Sequence, residues 1–267
     1  MKHQNKDDLP FLQFESFPND KAVRHAVFTR LGGISLPPYD SLNLSVSVDD
    51  EKTNVFANRA KAYGSHGRRN DTLVHAHLQH TAEVIEVTRK EYGHYIGPAD
   101  GLICREPGCG LTMNYADCSP VLLYDPEHHA IGLGHAGWKG AVKDLPGALV
   151  RAMQDAFSSE PSEIWAAIGP SIGPCCYQVG ELVVSAVRSS FNEAERLLLP
   201  DENHDPEQGS RRLFDLPEAN RLRLEATGVH QIDVAELCTA CRSDLFFSHR
   251  ADDGRTGRFG ALLILGD

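Results

Sequence analysis

Two short apolar runs, Val121-Leu122-Leu123-Tyr124 and Ile131-Gly132-Leu133-Gly134, flank the segment Asp125-Pro126-Glu127-His128-His129. Strand-forming runs on either side of an Asp-Pro turn specify an antiparallel hairpin. Taken as symmetric about that turn, the hairpin sets Cys118 opposite His135 at its open end. Directly opposed Cβ atoms sit about 4.5–5.5 Å apart, a spacing that suits two ligands of one metal ion. A thiolate and an imidazole are donors that zinc favours, and a catalytic zinc takes three protein ligands and keeps one position open. The run ending Leu78-Gln79-His80 offers a third donor, but the chain has 13 histidines. His75, His77, His128 and His129 compete with His80, and the hairpin does not choose among them.

Strand-like runs continue through the first half, at 26–29, 73–78, 84–88, 102–104 and 111–115. The second half sets helical periodicity at 141–157, 181–198 and 216–227 beside strand-like runs at 164–168, 231–234 and 261–265. The expected fold is one α/β domain of the mixed α+β kind over 1–267, with helices packed on a mixed, largely antiparallel sheet. The polar stretch 200–211 reads as an inserted loop.

A net charge of −11 argues against a surface built for nucleic acid or anionic lipid, so the expected partner is a small molecule. The polar start is not followed by an apolar signal segment, and no apolar run approaches membrane-spanning length. The expected location is therefore the cytoplasm. Seven cysteines, an odd number, point to reduced thiols, metal ligands or catalysis rather than a disulfide framework. Cys238-Thr239-Ala240-Cys241 and Cys175-Cys176 form a formal four-thiolate set, but adjacent cysteines chelate less readily than spaced ones, so buried thiols are expected. Gly132-Leu133-Gly134-His135-Ala136-Gly137 matches the dinucleotide fingerprint. The acidic residue that fingerprint needs falls at Asp155 inside a helical run, which argues against nicotinamide binding.

Several further runs stand in order along the chain: Thr29-Arg30-Leu31-Gly32-Gly33-Ile34-Ser35, Ser41-Leu42-Asn43-Leu44, Asn58-Arg59, Ala116-Asp117-Cys118-Ser119-Pro120-Val121, His135-Ala136-Gly137-Trp138-Lys139-Gly140, Ile168-Gly169-Pro170-Ser171-Ile172-Gly173-Pro174-Cys175-Cys176-Tyr177, and Phe246-Phe247-Ser248-His249-Arg250 with Thr256-Gly257-Arg258. From about residue 26 to 265 the chain resembles the YfiH family, also known as peptidoglycan editing factor, purine nucleoside phosphorylase and laccase-domain protein. The resemblance implies a fold like that of the toxin-type cysteine deamidases and a zinc site at His80, Cys118 and His135, with copper as the other soft-ligand metal. Family members carry Gln-Val-His-Gly at the first ligand where this chain has Leu78-Gln79-His80-Thr81, which leaves His77 as the alternative.

The implied activity is phosphorolysis of adenosine, inosine or methylthioadenosine to base and sugar 1-phosphate, with adenosine deamination beside it. Arg30 in its Gly-rich turn is the first expected phosphate ligand, followed by Arg250 and Arg258. Asn43 is expected to bond sugar or base, and Asp117 or Asp100 to assist deamination. Three other readings fit the same residues. In one, Cys118 is a nucleophile activated by His135 in an amide hydrolase that edits peptidoglycan precursors. The others are a copper-binding polyphenol oxidase and a non-enzymatic metal-binding module.

Overall fold

A computed structural model describes residues 1–201 and 211–267. The loop expected over 200–211 lies, apart from its ends, outside the described residues. The elements in chain order are β1 (Lys2–Lys6), β2 (Leu9–Gln13), β3 (Val23–Phe28), α1 (Lys52–Gly64), β4 (Val74–Ala76), β5 (Val84–Glu86), β6 (Tyr95–Ile96), β7 (Gly101–Cys104), β8 (Gly110–Tyr115), β9 (Ser119–Asp125) and β10 (Ala130–Ala136). There follow α2 (Trp138–Val142), α3 (Leu145–Phe157), β11 (Trp165–Ile168), β12 (Gln178–Val179), α4 (Glu181–Ser190), α5 (Ala194–Leu197), β13 (Leu198–Pro200), β14 (Arg212–Phe214), α6 (Leu216–Glu225), β15 (Gln231–Val234) and β16 (Phe259–Leu265).

Two sheets carry most of these elements, one ordered β1-β2-β3-β16-β8-β4-β6 and the other β15-β11-β9-β10-β7-β5, while β12, β14 and β13 form a small third sheet in that order. Most pairs are antiparallel, while β4 pairs parallel to β6 and β8, β5 to β7, and β11 to β15. This is the mixed, largely antiparallel arrangement expected. The sheets face each other across Val27, Met113 and Leu263 from one and Leu102, Leu122 and Leu133 from the other. Helix α3 covers the far face of the second sheet, packing Leu149, Val150 and Met153 on Leu123 and Ala166. Helix α1 covers the far face of the first through Ala62 and Tyr63. Covered on both faces, β9 and β10 are buried along their whole length, so their sequences run apolar rather than alternating. Each large side chain buried this way stabilises by roughly 1.5–3 kcal/mol. No helix among the described residues is long and apolar enough to cross a membrane.

The hairpin register departs from the symmetric expectation. Asp125 pairs with Ala130, so the connecting loop has four residues. Asp125 Oδ1 closes it by accepting from the backbone N–H of Glu127 at 2.9 Å and of His128 at 3.1 Å. Asp125 is thus the last strand residue, and His135 faces Pro120 rather than Cys118. Because the slip is an even number of residues, Cys118 and His135 keep the same face and meet diagonally.

Helical segments also divide where local chemistry requires it. The helix expected over 141–157 breaks at Asp144, which has φ 64° and accepts from Gly147 N–H, while Pro146 sits in the first turn of α3. Proline is compatible with a helix start and not with its interior. The run expected over 181–198 is interrupted between α4 and α5. Helix α1 has no counterpart in the sequence reading, because its buried stripe includes Asn58 and Arg59. Asn58 holds Ser35, Ser41 and Asn43, and Arg59 Nε donates to Leu44 O at 2.7 Å. Those two residues pin the loop that follows β3. Gly33 in that loop lies so close to Ser41 that a Cβ would stand 2.1 Å from its carbonyl oxygen.

His25, His66 and His75 are buried in this scaffold. Burial pulls their imidazoles down to about 4, about 4 and about 3. The unfolded chain protonates them near its ordinary value, so the stability they contribute is complete above about pH 6.5 and is lost as pH falls toward 4. The unfolding free energy is expected to fall across that window by up to about 3 kcal/mol per histidine, and the urea midpoint to drop with it. A flat midpoint from pH 7 to 4.5 contradicts this.

Candidate metal centre and cleft

Three segments converge at one end of the sandwich. His135 lies near the end of β10, Cys118 immediately precedes β9, and His80 follows β4 of the other sheet. Their ligand atoms all lie within 4.8 Å of one another. None of the competing histidines joins this group, although His77 lines the same cleft. His75 stacks on Tyr95, His77 tilts against the same ring at 5.0 Å, His128 Nδ1 meets Asp125 at 2.9 Å, and His129 Nε2 lies 3.3 Å from Gly266 O.

Asp100 fixes this arrangement. Its Oδ1 lies 3.0 Å from His135 Nδ1, which leaves Nε2 as the ring nitrogen open to a metal. Its Oδ2 accepts from Gln79 N–H at 3.0 Å, Thr81 N–H at 2.8 Å and Thr81 Oγ1 at 3.0 Å. One carboxylate therefore orients an imidazole on β10 and pins both neighbours of His80, whose own backbone has φ 56°. Burial pushes the Asp100 carboxyl up, but the bonds from His135, Thr81 and Gln79 outweigh it and hold the group well below the usual carboxylate range.

The donors influence each other as strongly. Burial pushes the Cys118 thiol up, yet the charge and hydrogen bonds of His135 and His80 bring it down to about 6. Burial lowers His135, whereas Cys118 and Asp100 raise it to about 10. The thiolate is the form that ligates a metal, and the imidazolium sheds its proton on binding. Gly137 leaves the sulfur its room, since a Cβ there would stand 2.6 Å from Cys118 Sγ. Two imidazoles and a thiolate, backed by a carboxylate and with one side open, fit a metal site of the open kind.

That open side is a cleft of about 810 Å³. Tyr95, Trp138 and Tyr177 line it, together with Lys139, His249, Arg250 and Arg258. Arg250 Nη1 donates to Gln178 O at 2.8 Å, and Arg258 Nη1 to the carbonyls of Thr256 and Gly257 at 2.8 Å each. Burial lowers the Arg258 guanidinium somewhat from its ordinary value.

Three expected roles change on this geometry. Arg30 lines a separate cleft, where its Nε donates to Asp40 O at 2.8 Å, its Nη1 to Ser243 O at 3.0 Å, and its guanidinium lies over Phe247. Asn43 is buried behind the wall and bonds Ser45, Asp50 and the backbone N–H of Arg258, so it positions Arg258. Asp117 lines the cleft and accepts from Thr239 Oγ1 at 2.6 Å and Arg250 N–H at 2.7 Å, so that, like Asp100, it tethers its neighbours. Lys139, Trp138, Tyr177 and His249 are cleft residues that the sequence reading passed over, although each sits inside one of the quoted motifs. The buried, separate thiols expected at Cys175, Cys176, Cys238 and Cys241 are instead clustered, with Cys175 and Cys241 exposed.

A mixed α/β sandwich with a His-Cys-His group at the floor of a cationic cleft defines the class of protein. The family described as multi-copper polyphenol oxidoreductase laccase matches residues 24–266, and the chain belongs to that family, which is the YfiH family of the motifs above. The purine nucleoside phosphorylase YlmD of Geobacillus stearothermophilus is 37% identical over 244 residues, covering 88% of this chain and 87% of the relative. The purine nucleoside phosphorylase YfiH of Escherichia coli is 31% identical over 249 residues, covering 93% and 96%. The crystal structure of YlmD from Geobacillus stearothermophilus matches with a TM-score of 0.90 at 34% identity over 99% of each chain.

Proposed function

We propose that the chain is a zinc-dependent purine nucleoside phosphorylase that converts adenosine, inosine or methylthioadenosine to the free base and a sugar 1-phosphate. The observation that carries this reading is the group Lys139, Arg250 and Arg258 beside His80, Cys118 and His135, in a chain of net charge −11. Three cationic side chains of an otherwise acidic protein face the cleft, where an anionic co-substrate would have to sit. The printed names of the relatives support the same activity.

In phosphorolysis a phosphate oxygen bonds to C1′ as the C1′–N9 bond breaks, and the electron pair leaves with the purine. Cationic side chains stabilise the attacking phosphate, and fixed donors lower the cost of charge developing on the base. Arg250 and Arg258 are suited to the first task, since one nitrogen of each guanidinium is anchored on backbone carbonyls and the rest of the fork can face the anion. Tyr177 and Trp138 offer aromatic surface to the purine. His80, Cys118 and His135 would hold zinc, which supplies Lewis acidity at the bond being broken. Asp100 keeps the His135 ring in register with the other two donors. Deamination of adenosine is a second activity of the same cleft in this reading, favoured by the three-donor set that leaves a coordination position open. Oxidation by coupled coppers is not favoured, because the metal-competent groups among the described residues are this triad and a cluster of four cysteines.

Arg250→Ala is expected to raise the KM for phosphate about tenfold or more, with a smaller change in the KM for nucleoside. Steady-state rates with phosphate and inosine varied separately decide it. An unchanged dependence on phosphate refutes the assignment of Arg250.

A further inference from the structure

We infer that Cys175, Cys176, Cys238 and Cys241 form a second metal centre, a four-thiolate zinc site that staples together two loops of the cleft wall. Their sulfurs all lie within 4.8 Å of one another. Cys241 Sγ stands 3.4 Å from Cys175 Sγ and 3.3 Å from Cys176 Sγ, with every cysteine a free thiol. Four thiolates around zinc at about 2.3 Å place their sulfurs about 3.8 Å apart, so shifts of up to about an ångström bring the cluster onto one coordination sphere. Apolar burial does not explain the gathering, because Cys175 and Cys241 are exposed.

The backbone around Cys238 is arranged for a thiolate. Cys238 Sγ accepts from Gly173 N–H at 3.3 Å and from the backbone N–H groups of Ala240 and Cys241. Such donors favour the charged sulfur that a metal requires. Cys176 N–H and Tyr177 N–H both donate to Gly173 O at 3.0 Å, and this tight turn lets two consecutive cysteines reach the same sulfur of Cys241. Adjacency in sequence is therefore no obstacle to joint ligation. On binding, each thiol gives up its proton to solvent, and an all-sulfur set selects zinc over hard cations.

The site lies where cross-linking matters. One cysteine pair follows β11 and the other follows its parallel neighbour β15. The two loops are already joined by the Ser171–Cys238 bridge and by Thr239 N–H donating to Ser171 O at 3.0 Å. Tyr177 extends from the first loop into the cleft, and Arg250 Nη1 reaches Cys176 O at 3.4 Å. The second metal would hold both without touching substrate.

Zinc is counted per chain in protein purified without added metal, in the wild type, in Cys118→Ser, and in Cys238→Ser combined with Cys241→Ser. The expected counts are about two, one and one. Cobalt exchanged into Cys118→Ser, which leaves all four cysteines intact, is expected to show intense tetrahedral thiolate absorption whatever the enzyme's activity. That spectrum decides the matter if the double variant fails to fold; if Cys118→Ser fails to fold, a stoichiometry of about two cobalt ions per wild-type chain decides it, and one ion overturns the inference. Metal-free Cys118→Ser, a cobalt spectrum lacking thiolate bands, or a Cys175–Cys241 disulfide in freshly purified protein overturns the inference.

Discussion

His80→Asn is expected to empty the His80-Cys118-His135 group and to lower nucleoside phosphorolysis by roughly a hundredfold to a thousandfold, the usual cost of losing a preorganised stabiliser of developing charge. Asparagine is the appropriate replacement because the position has φ 56°, a conformation Asn tolerates better than most residues. The fold should survive, since His80 is exposed. This substitution separates two chemistries that share Cys118. A thiolate attacking as a nucleophile needs His135 alone beside it, and the lowered thiol and raised imidazole of the metal-free pair suit that role. A metal site needs the third donor. Full phosphorolysis in His80→Asn, with metal absent from the triad, would show that the reaction does not depend on the metal and would leave Cys118 free to act as a nucleophile.

Asp100→Ala should have the next largest effect. It strips His135 Nδ1 of its acceptor and frees the Gln79 and Thr81 N–H groups on either side of His80. Loss of such a supporting carboxylate typically weakens metal binding or activity about 10–100-fold. The buried His135 Nδ1, left without its acceptor, should cost a further 1–3 kcal/mol or so of stability. A positioning role predicts that excess zinc restores much of kcat while the zinc affinity itself stays low. Wild-type zinc affinity in Asp100→Ala would show that the triad is held without it.

How much of this was legible in the sequence depended on the range of the interactions involved. The hairpin could be read because β9 and β10 are adjacent in the chain and buried on both faces. Its register was misplaced by two residues, since Asp125 serves as both the last paired residue and the acceptor closing the turn. The error was tolerable only because an even slip leaves Cys118 and His135 on one face. His80 was not chosen by the hairpin at all; it came from the family resemblance, and its selection in space rests on Asp100, 20 residues downstream. Arg30 lies in a cleft apart from the metal group, because its partners Asp40 and Ser243 are set by tertiary structure that a glycine-rich turn in the sequence does not reveal. Helix α1 was missed because the residues it buries include Asn58 and Arg59. The cysteine cluster was discounted by a spacing rule that the turn at Gly173 overrides.

The central claim is that phosphorolysis depends on the metal held by His80, Cys118 and His135. Its most direct test is to follow base and sugar 1-phosphate release from inosine, with and without inorganic phosphate, in native, chelator-stripped and zinc-restored protein. The account predicts equimolar products that require phosphate, disappear on stripping and return with zinc. Equal turnover by native and stripped protein, or base release indifferent to phosphate, would contradict it.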